Sequence, residues 1–331
     1  MNAGADSCVR PCPWHRESWQ RLQRALESGR LAHALLFPGV PGTGRLRFAT
    51  ALARQLLCEE AGAAGNCGSC KSCRLLAQGA HADFFALAPA EPGKRIGVDA
   101  VRELLAFSAR TSAFGARKVV LVTQLEAFTG NAFNAFLKGL EEPADDSFLL
   151  LVTARGQELP ATIRSRCQAL PLAAPDTQES LDWLQEALAA AREAPGVNPQ
   201  QLLRCLPGRP LAALARVQAG EAAPLLALQR ALDERGDAAS LQRAAAALPE
   251  AELLEQLQRR LAQRCRDAAR RGERRKLQRA LRSDDRLRAL RRALLAGSNP
   301  NPELLRHAAL SAWCAVDGCD DGATLGPSAE R

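Results

Sequence analysis

The chain has 331 residues, 47% hydrophobic and 24% charged, a balance that supports a sizeable folded core and excludes an intrinsically disordered protein. The 44 Lys and Arg against 36 Asp and Glu give a formal net charge of +8, which alone would favour a nucleic-acid-binding protein. The apolar runs are too short to cross a bilayer and the first residues lack a signal-peptide pattern, so we expect a soluble cytoplasmic protein of two or three domains.

Up to about Pro171, short β-rich runs alternate with helical stretches, which is typical of a parallel sheet covered by helices. Gly29 stands where a glycine would end the first helix, and Pro143 cannot continue the last one. In chain order, the patterns predict a helix at 17–28, a strand at 34–37, a helix at 46–57, a strand at 84–87, a helix at 99–109, a strand at 119–123, a helix at 127–141 and a strand at 148–153.

After Pro171 the patterns are helical only. Stretches rich in Pro, Gly and Asn at 194–199 and 207–210 divide this half, and the tail from 316 to 331 is expected to be disordered. Ser283 is a predicted N-cap for a later helix. Apolar residues recur at helical spacing at Leu254, Leu257, Leu261, Cys265 and Ala268, and again at Leu287, Leu290 and Leu294. The stripe of Leu254, Leu257 and Leu261 is a candidate for core or subunit packing.

The positive charge is concentrated in the second half. Residues 251–296 contain 14 Arg and one Lys against six acidic residues, so the rest of the chain is close to neutral. Arginines on the solvated faces of packed helices explain most of this excess. A contact between this stretch and DNA or an acidic partner stays open.

A glycine-rich loop follows the first predicted strand and precedes a helix. Gly39, Gly42 and Gly44 fit the phosphate-binding pattern G-x-x-x-x-G-K-[ST], in which backbone N–H groups wrap a phosphate at a helix N-terminus. Arg45 stands where the pattern has the lysine that reaches the phosphates, and its charge sits on a bulkier, forked group. Leu46 replaces the Ser or Thr whose hydroxyl holds Mg²⁺, and a leucine ligates no metal.

The strand that should carry the metal-binding acids of an active P-loop ATPase is followed instead by Thr123 and Gln124. These changes favour a loop that only closes a turn over one that still binds a nucleotide, and disfavour turnover most. Whether ATP binds this degenerate loop stays open.

Four cysteines cluster directly after the loop's helix, at Cys58, Cys67, Cys70 and Cys73, with glycines between them that allow tight turns. In a cytosolic protein this spacing favours a structural Zn²⁺ held by four thiolates over a disulfide framework. An iron–sulfur cluster and unligated thiols are the alternatives. Such a site closes a loop and does not catalyse.

Three segments together resemble the AAA+ module of bacterial clamp-loader subunits: 118–122 (KVVLV), 134–143 (NAFLKGLEEP) and 162–167 (TIRSRC). The cysteine insertion after the loop's helix is similar to theirs as well, and the resemblance covers about residues 14–215. It implies an α/β AAA+ fold, in which a P-loop NTPase-like parallel sheet with flanking helices spans 1–170 and carries the zinc insertion at 58–73. A small helical lid domain at 171–215 and an all-α collar domain at 216–315 would follow.

The departures at the phosphate loop resemble the family's non-hydrolysing subunit of the DNA polymerase III clamp loader. The resemblance implies that Arg166, within the motif of Ser165, Arg166 and Cys167, acts as an arginine finger in trans at the ATP site of a neighbouring motor subunit. A surface arginine that caps a helix end is the alternative for Arg166, and Arg164 is its nearest competitor for the role.

The implied partners are the other clamp-loader subunits, namely the motor gamma/tau subunits and delta, in a hetero-pentamer that loads the sliding clamp onto primed DNA. Neither ATPase nor polymerase activity is expected of this chain, because the nucleotidyltransferase activity would belong to the DNA-directed DNA polymerase III holoenzyme. The implied location is cytoplasmic, at the nucleoid and replisome, and away from any membrane. Two alternatives remain: an autonomous P-loop ATPase with a variant loop, and a zinc-dependent nucleic-acid-binding module.

Overall fold

A computed structural model describes residues 8–91, 93–114, 117–144, 146–191, 197–233, 238–295 and 300–317. The chain divides into two compact units, Met1–Ala191 with Leu206–Leu214 and Arg192–Cys205 with Ala215–Arg331. The segment predicted as a lid, 171–215, thus contributes to both units. Residues 318–331, most of the tail predicted to be disordered, lie outside the described residues.

A five-stranded parallel sheet forms the centre of the first unit, in the order β2-β3-β4-β1-β5. All four predicted strands are present, each within one residue of the expected bounds. The short fifth strand pairs with the other side of β1 and has no predicted counterpart. The strands are β1 (Ala34–Pro38), β2 (Phe84–Leu87), β3 (Lys118–Val122), β4 (Ser147–Thr153) and β5 (Gln168–Ala169).

Helices cover both faces of this sheet, as the alternating pattern predicts. Two of them, α3 and α6, are too short to show a helical period in the sequence and were not predicted. The helices that begin in this unit are α1 (Arg16–Glu27), α2 (Arg45–Leu57), α3 (Lys71–Ala77), α4 (Val98–Ser108), α5 (Gly130–Glu141), α6 (Ala161–Arg164), α7 (Thr177–Ala191) and α9 (Pro210–Gln218).

The central strands are apolar on both faces because helices bury both faces. Leu36, Val120 and Leu151 point to one side, where they pack with α4 and α5. Leu35 and Phe37 point to the other side, where they pack with α1 and α2. Successive residues of β1 therefore serve opposite cores, which explains why its sequence reads as a continuous apolar run.

A buried ion pair anchors the loop that leads into β3. The Asp83 carboxylate accepts hydrogen bonds from the backbone N–H groups of Ala113 (2.8 Å) and Phe114 (2.9 Å), and it lies 3.8 Å from Lys118 Nζ. Burial would raise the pKa of Asp83, but these donors outweigh it, and the pKa is held below its usual value.

The second unit is helical throughout its described residues. Its core contains Leu254, Leu257 and Leu261 from the predicted stripe, all buried. No single described helix has the length and apolar composition needed to cross a membrane. Among the described residues, only the bent pair of helices Pro210–Gln218 and Ala222–Asp233 meets these criteria together. The helices here are α8 (Pro199–Cys205), α10 (Ala222–Asp233), α11 (Ala238–Ala246), α12 (Glu250–Arg270), α13 (Arg274–Leu295) and α14 (Pro302–Cys314), followed by a 3-10 turn (Ala315–Asp317).

The prediction that Ser283 is an N-cap is wrong. Ser283 lies in the middle of α13 and is buried, while the helix begins after Gly272, which adopts a φ of 70° between α12 and α13. A serine has only a weak preference against the helix interior, so packing against the core outweighs its capping preference.

Candidate functional site

The predicted phosphate loop lies between β1 and α2, as its sequence context requires. Gly39, Gly42 and Gly44 all have positive φ angles, of 146°, 88° and 100°, a region that non-glycine residues rarely adopt. A Cβ on Gly42 would also lie only 2.5 Å from the Cβ of Ala212. The glycine at 42 is therefore required by close packing against α9 as well as by its backbone angles.

The Arg45 side chain is turned into this loop and is buried. Its Nε donates to the carbonyl of Val40 (3.1 Å), and its Nη1 donates to the carbonyls of Phe37 (3.5 Å) and Thr153. Its Cδ lies 3.0 Å from the place where a Cβ on Gly39 would stand. The guanidinium thus fills the space between the loop and the carboxyl ends of β1 and β4.

The electrostatic surroundings of Arg45 include two residues that the sequence analysis did not identify. Burial lowers the pKa of Arg45, the carboxylate of Glu126 opposes that shift, and the cation Arg209 adds to it. Glu126 follows β3 and accepts a hydrogen bond from the N–H of Ala154 (3.1 Å), and Arg209 Nε donates to the carbonyl of Pro41 (2.7 Å). Both lie far from the loop in sequence, so local spacing gives no signal for them.

The three positions that would hold or position Mg²⁺ in an active loop, 46, 123 and 124, carry side chains that are unsuited to it. Leu46 presents an apolar side chain that is 36% exposed at the start of α2. The Thr123 hydroxyl is buried and directed to the carbonyl of Leu87 on the neighbouring strand (3.5 Å). Gln124 is exposed beyond the end of β3. The loop therefore holds its own cation, Arg45, and positions 46, 123 and 124 offer Mg²⁺ neither a carboxylate nor a free hydroxyl.

The four predicted cysteines converge at the end of α2 and the start of α3. All four Sγ atoms lie within 4.8 Å of one another, and the pairs Cys58–Cys70, Cys67–Cys73 and Cys58–Cys73 are 3.9, 3.9 and 3.6 Å apart. Four thiolates around one Zn²⁺ at Zn–S distances of about 2.3 Å would stand about 3.8 Å apart. The donor set and its spacing fit a tetrahedral metal ion.

Hydrogen bonds to sulfur support the thiolate form at this cluster. Cys67 Sγ accepts from the backbone N–H groups of Cys70 (3.3 Å) and Ser69 (3.4 Å), which lower the pKa of Cys67 to about 6. Burial instead raises the pKa of Cys58 to about 12. One sulfur is thus ready to ligate as an anion at neutral pH, whereas Cys58 needs a bound cation to lose its proton.

The Ser-Arg-Cys motif follows α6 and places its three side chains differently. Cys167 is buried in the sheet core, and burial raises its pKa to about 11. Ser165 Oγ donates to the carbonyl of Thr162 (3.1 Å). Arg166 is exposed, with Nη2 2.7 Å from Oε1 of Glu141 and Nη1 3.1 Å from the Thr162 carbonyl.

The motif thus has one buried side chain, Cys167, and one exposed cation, Arg166. Arg164 is also exposed, two residues earlier, at the end of α6. The structure thus separates the loop, the cysteine cluster and the exposed Arg166 into three features carried by different elements of the first unit.

Comparisons with known proteins show what the chain is similar to. A family model described as "DNA polymerase III, delta subunit" matches residues 14–176. A Pseudomonas aeruginosa protein named DNA polymerase III subunit delta' is 42% identical over 203 residues, which cover 61% of this chain and 60% of that protein. The protein of the same name from Escherichia coli K12 is 38% identical, covering 62% of this chain and 60% of its own length. The chain thus spans about three fifths of the length of these relatives.

A further relative and a solved structure extend the comparison. The Escherichia coli protein named DNA polymerase III subunit tau is 34% identical over 182 residues, which cover 55% of this chain and 28% of that protein. A Thermotoga maritima structure described as a DNA polymerase III gamma subunit-related protein aligns with a TM-score of 0.50 at 17% identity, over 90% of this chain and 98% of that one. At that identity the structural likeness concerns the fold alone, and that fold is the AAA+ type predicted from the sequence.

Proposed function

We propose that the chain, whose residues 14–176 match the family model and which is 42% identical to a delta' subunit over 203 residues, is a delta-prime-type subunit of a clamp loader. In this proposal it joins motor gamma/tau and delta subunits in a hetero-pentamer that loads the sliding clamp onto primed DNA, in the cytoplasm at the replisome. DNA-directed DNA polymerase activity belongs to the holoenzyme and not to this chain. The domains at 1–170, 171–215 and 216–315 would serve as the AAA+ module, lid and collar.

The arrangement of Arg45 is the observation that best supports a subunit without ATPase activity of its own. Its guanidinium takes up space within the loop and is held by backbone carbonyls of the chain itself. Leu46, Thr123 and Gln124 supply neither the hydroxyl nor the carboxylates that hold Mg²⁺ and position water in P-loop enzymes. The purified chain is expected to hydrolyse no ATP above background, and turnover that Arg45→Ala abolishes would contradict this.

Arg166 is the side chain that we propose as an arginine finger in trans. Its partner Glu141 is half exposed, and ion pairs of this kind contribute at most about 1 kcal/mol. A phosphoryl group on a neighbouring subunit carries more charge than one carboxylate, so the guanidinium can exchange Glu141 for the phosphate. Delivered to a transferring phosphoryl group, an arginine neutralises the charge that develops in the transition state.

Arg166→Ala in the reconstituted clamp loader tests this role. The variant complex is expected to assemble normally and to hydrolyse ATP more slowly in the presence of clamp and primed DNA. Arg164→Ala is the matched control, because it removes an exposed arginine from the same segment. If both variants turn over ATP at the wild-type rate, Arg166 has no part in hydrolysis, and a slowing by Arg164→Ala alone would move the role to that residue.

For the cysteine cluster we propose Zn²⁺ as the occupant, held by Cys58, Cys67, Cys70 and Cys73. The ion would supply structural cross-linking between α2 and α3 and no chemistry, because four thiolates leave no open position for a substrate. We expect about one zinc per chain by elemental analysis of the purified protein. Cys67→Ser should lower the zinc content sharply, whereas Cys205→Ser, which changes a buried thiol outside the cluster, should leave it unchanged.

A further inference from the structure

A stripe of arginines runs along the exposed side of α13 and has no role in the function proposed above. Arg275, Arg279, Arg282 and Arg286 are all exposed and follow one another at steps of four, three and four residues. At 3.6 residues per turn, these steps keep the four side chains within an arc of about 60°. We refer to these four residues as the arginine stripe.

The fold of the second unit directs this stripe outward. A different side of α13, centred about 100° around the helix from the stripe, carries Ala280, Ser283 and Leu287, which are buried. Because the core takes that side of the helix, the stripe faces solvent within the unit along its whole length. Among the described residues of α13, Leu281 is the one large apolar side chain that is clearly exposed (50%). It lies more than a quarter turn away from the stripe.

The acidic residues of this helix region are engaged elsewhere or lie off the stripe. Asp284 pairs with Arg288 (2.6 Å) and Glu273 with Lys276 (2.9 Å). Asp285 is exposed and displaced by about 60° from the nearest arginine of the stripe. Within the described part of the chain, none of the four arginines has an ion-pair partner. Like charges at these spacings repel each other, so the stripe contributes nothing to the stability of the helix.

The chemistry of the stripe fits a polyanion better than a folded protein partner. Protein interfaces rely on a buried apolar or aromatic centre, and the stripe offers none. It spans about 16 Å, a length over which one strand of a DNA duplex presents about five phosphates. Guanidinium groups also match phosphate oxygens in a two-pronged geometry.

We propose that the arginine stripe binds the phosphate backbone of DNA, a role separate from those of the phosphate loop and of Arg166. The contact is independent of base sequence, because its four cations meet phosphates only. Four of the 14 arginines of residues 251–296 then serve this surface.

Binding of the full-length chain to a fluorescein-labelled 30-base-pair DNA duplex, followed by fluorescence anisotropy from 50 to 200 mM salt, tests the proposal. The test variant changes Arg275, Arg279, Arg282 and Arg286 to Gln. Four phosphate contacts predict that it loses at least tenfold in affinity at 50 mM salt. They also predict that its slope of log K against log salt is shallower than the wild-type slope by about 3.6.

A control variant distinguishes the effect of the stripe from the effect of net charge. Like the stripe variant, it lowers the net charge from +8 to +4. It changes four exposed arginines on other helices to Gln: Arg16, Arg21, Arg230 and Arg243. We expect this control to lose less than threefold in affinity, and a Lys variant of the stripe to retain most binding.

Equal losses in the stripe variant and the control would overturn the proposal, since binding would then follow net charge alone. Competition by polyglutamate that matches DNA at equal charge would also overturn it, in favour of an acidic polypeptide. The measurement uses the isolated chain and does not involve Arg166, so its outcome is independent of the arginine-finger proposal.

Discussion

Replacing Arg45 by Met tests whether its guanidinium fastens the loop to the sheet. Met retains an unbranched apolar stem of similar length and removes the donors to Val40, Phe37 and Thr153. The change therefore isolates the hydrogen bonds and charge from the packing of the side chain.

The expected loss of stability depends on whether each carbonyl that Arg45 contacts keeps another hydrogen-bond donor. The Val40 carbonyl keeps a hydrogen bond from the Thr43 hydroxyl (2.9 Å), and the Thr153 carbonyl keeps one from the N–H of Gly39 (3.2 Å). The contact to Phe37, at 3.5 Å, is too long to contribute much. Two charge-assisted bonds, worth about 1.5–3 kcal/mol each, are thus lost without leaving those two carbonyls unpaired. Because Met also avoids the cost of burying a charge, we expect a net loss of about 2 kcal/mol.

Urea unfolding followed by tryptophan fluorescence measures this cost, because three of the four tryptophans, Trp14, Trp19 and Trp183, lie in the first unit. Arg45→Met should lower its free energy of unfolding by about 2 kcal/mol, which corresponds to a fall in Tm of about 4–8 °C. Arg21→Met, at an exposed position on α1, is the control and should be nearly silent. Equal unfolding curves for the two variants would refute the view that Arg45 secures the loop.

Asp83→Asn should destabilise the protein at pH 7, and the difference from wild type should shrink as pH falls below about 4. Stability from a carboxylate with a lowered pKa is present above its unfolded pKa and is lost as the folded form takes up a proton; a difference that is constant with pH would contradict this. Leu257→Ala should cost about 3 kcal/mol through a cavity in the helical core, against less than 0.5 kcal/mol for the exposed Leu281→Ala, as measured by urea unfolding. Removal of metal with a strong zinc chelator should lower the Tm of wild type but leave that of Cys67→Ser unchanged, and equal shifts would exclude a structural metal at the cluster.

The larger elements were predictable because their signals are local. The four long strands are apolar runs bounded by helical patterns, and the stripe of Leu254, Leu257 and Leu261 repeats at helical spacing over several turns. The fifth strand and α6 are two and four residues long, too short to establish a period. The prediction for Ser283 was wrong because the preference of serine for an N-cap is weaker than the stabilisation that a long helix gains by packing.

The site was predictable where its residues are close in sequence. The cysteine cluster falls within 16 residues, so spacing alone brought its four thiols together as the structure does. The inward turn of Arg45 depends on Thr153, which is 108 residues away, and on the packing of Arg209 and Ala212 against the loop. No local pattern encodes such contacts, and they become visible only when the sheet order is known.

The central claim is that Arg166 acts on a phosphoryl group outside its own chain, and single-turnover ATP hydrolysis in the assembled clamp loader tests it most directly. With clamp and primed DNA present, we expect Arg166→Ala to slow hydrolysis at the adjacent motor site by about 10³-fold or more, with nucleotide affinity nearly unchanged. Hydrolysis at every motor site at the wild-type rate, in a complex shown to be fully assembled, would contradict the account.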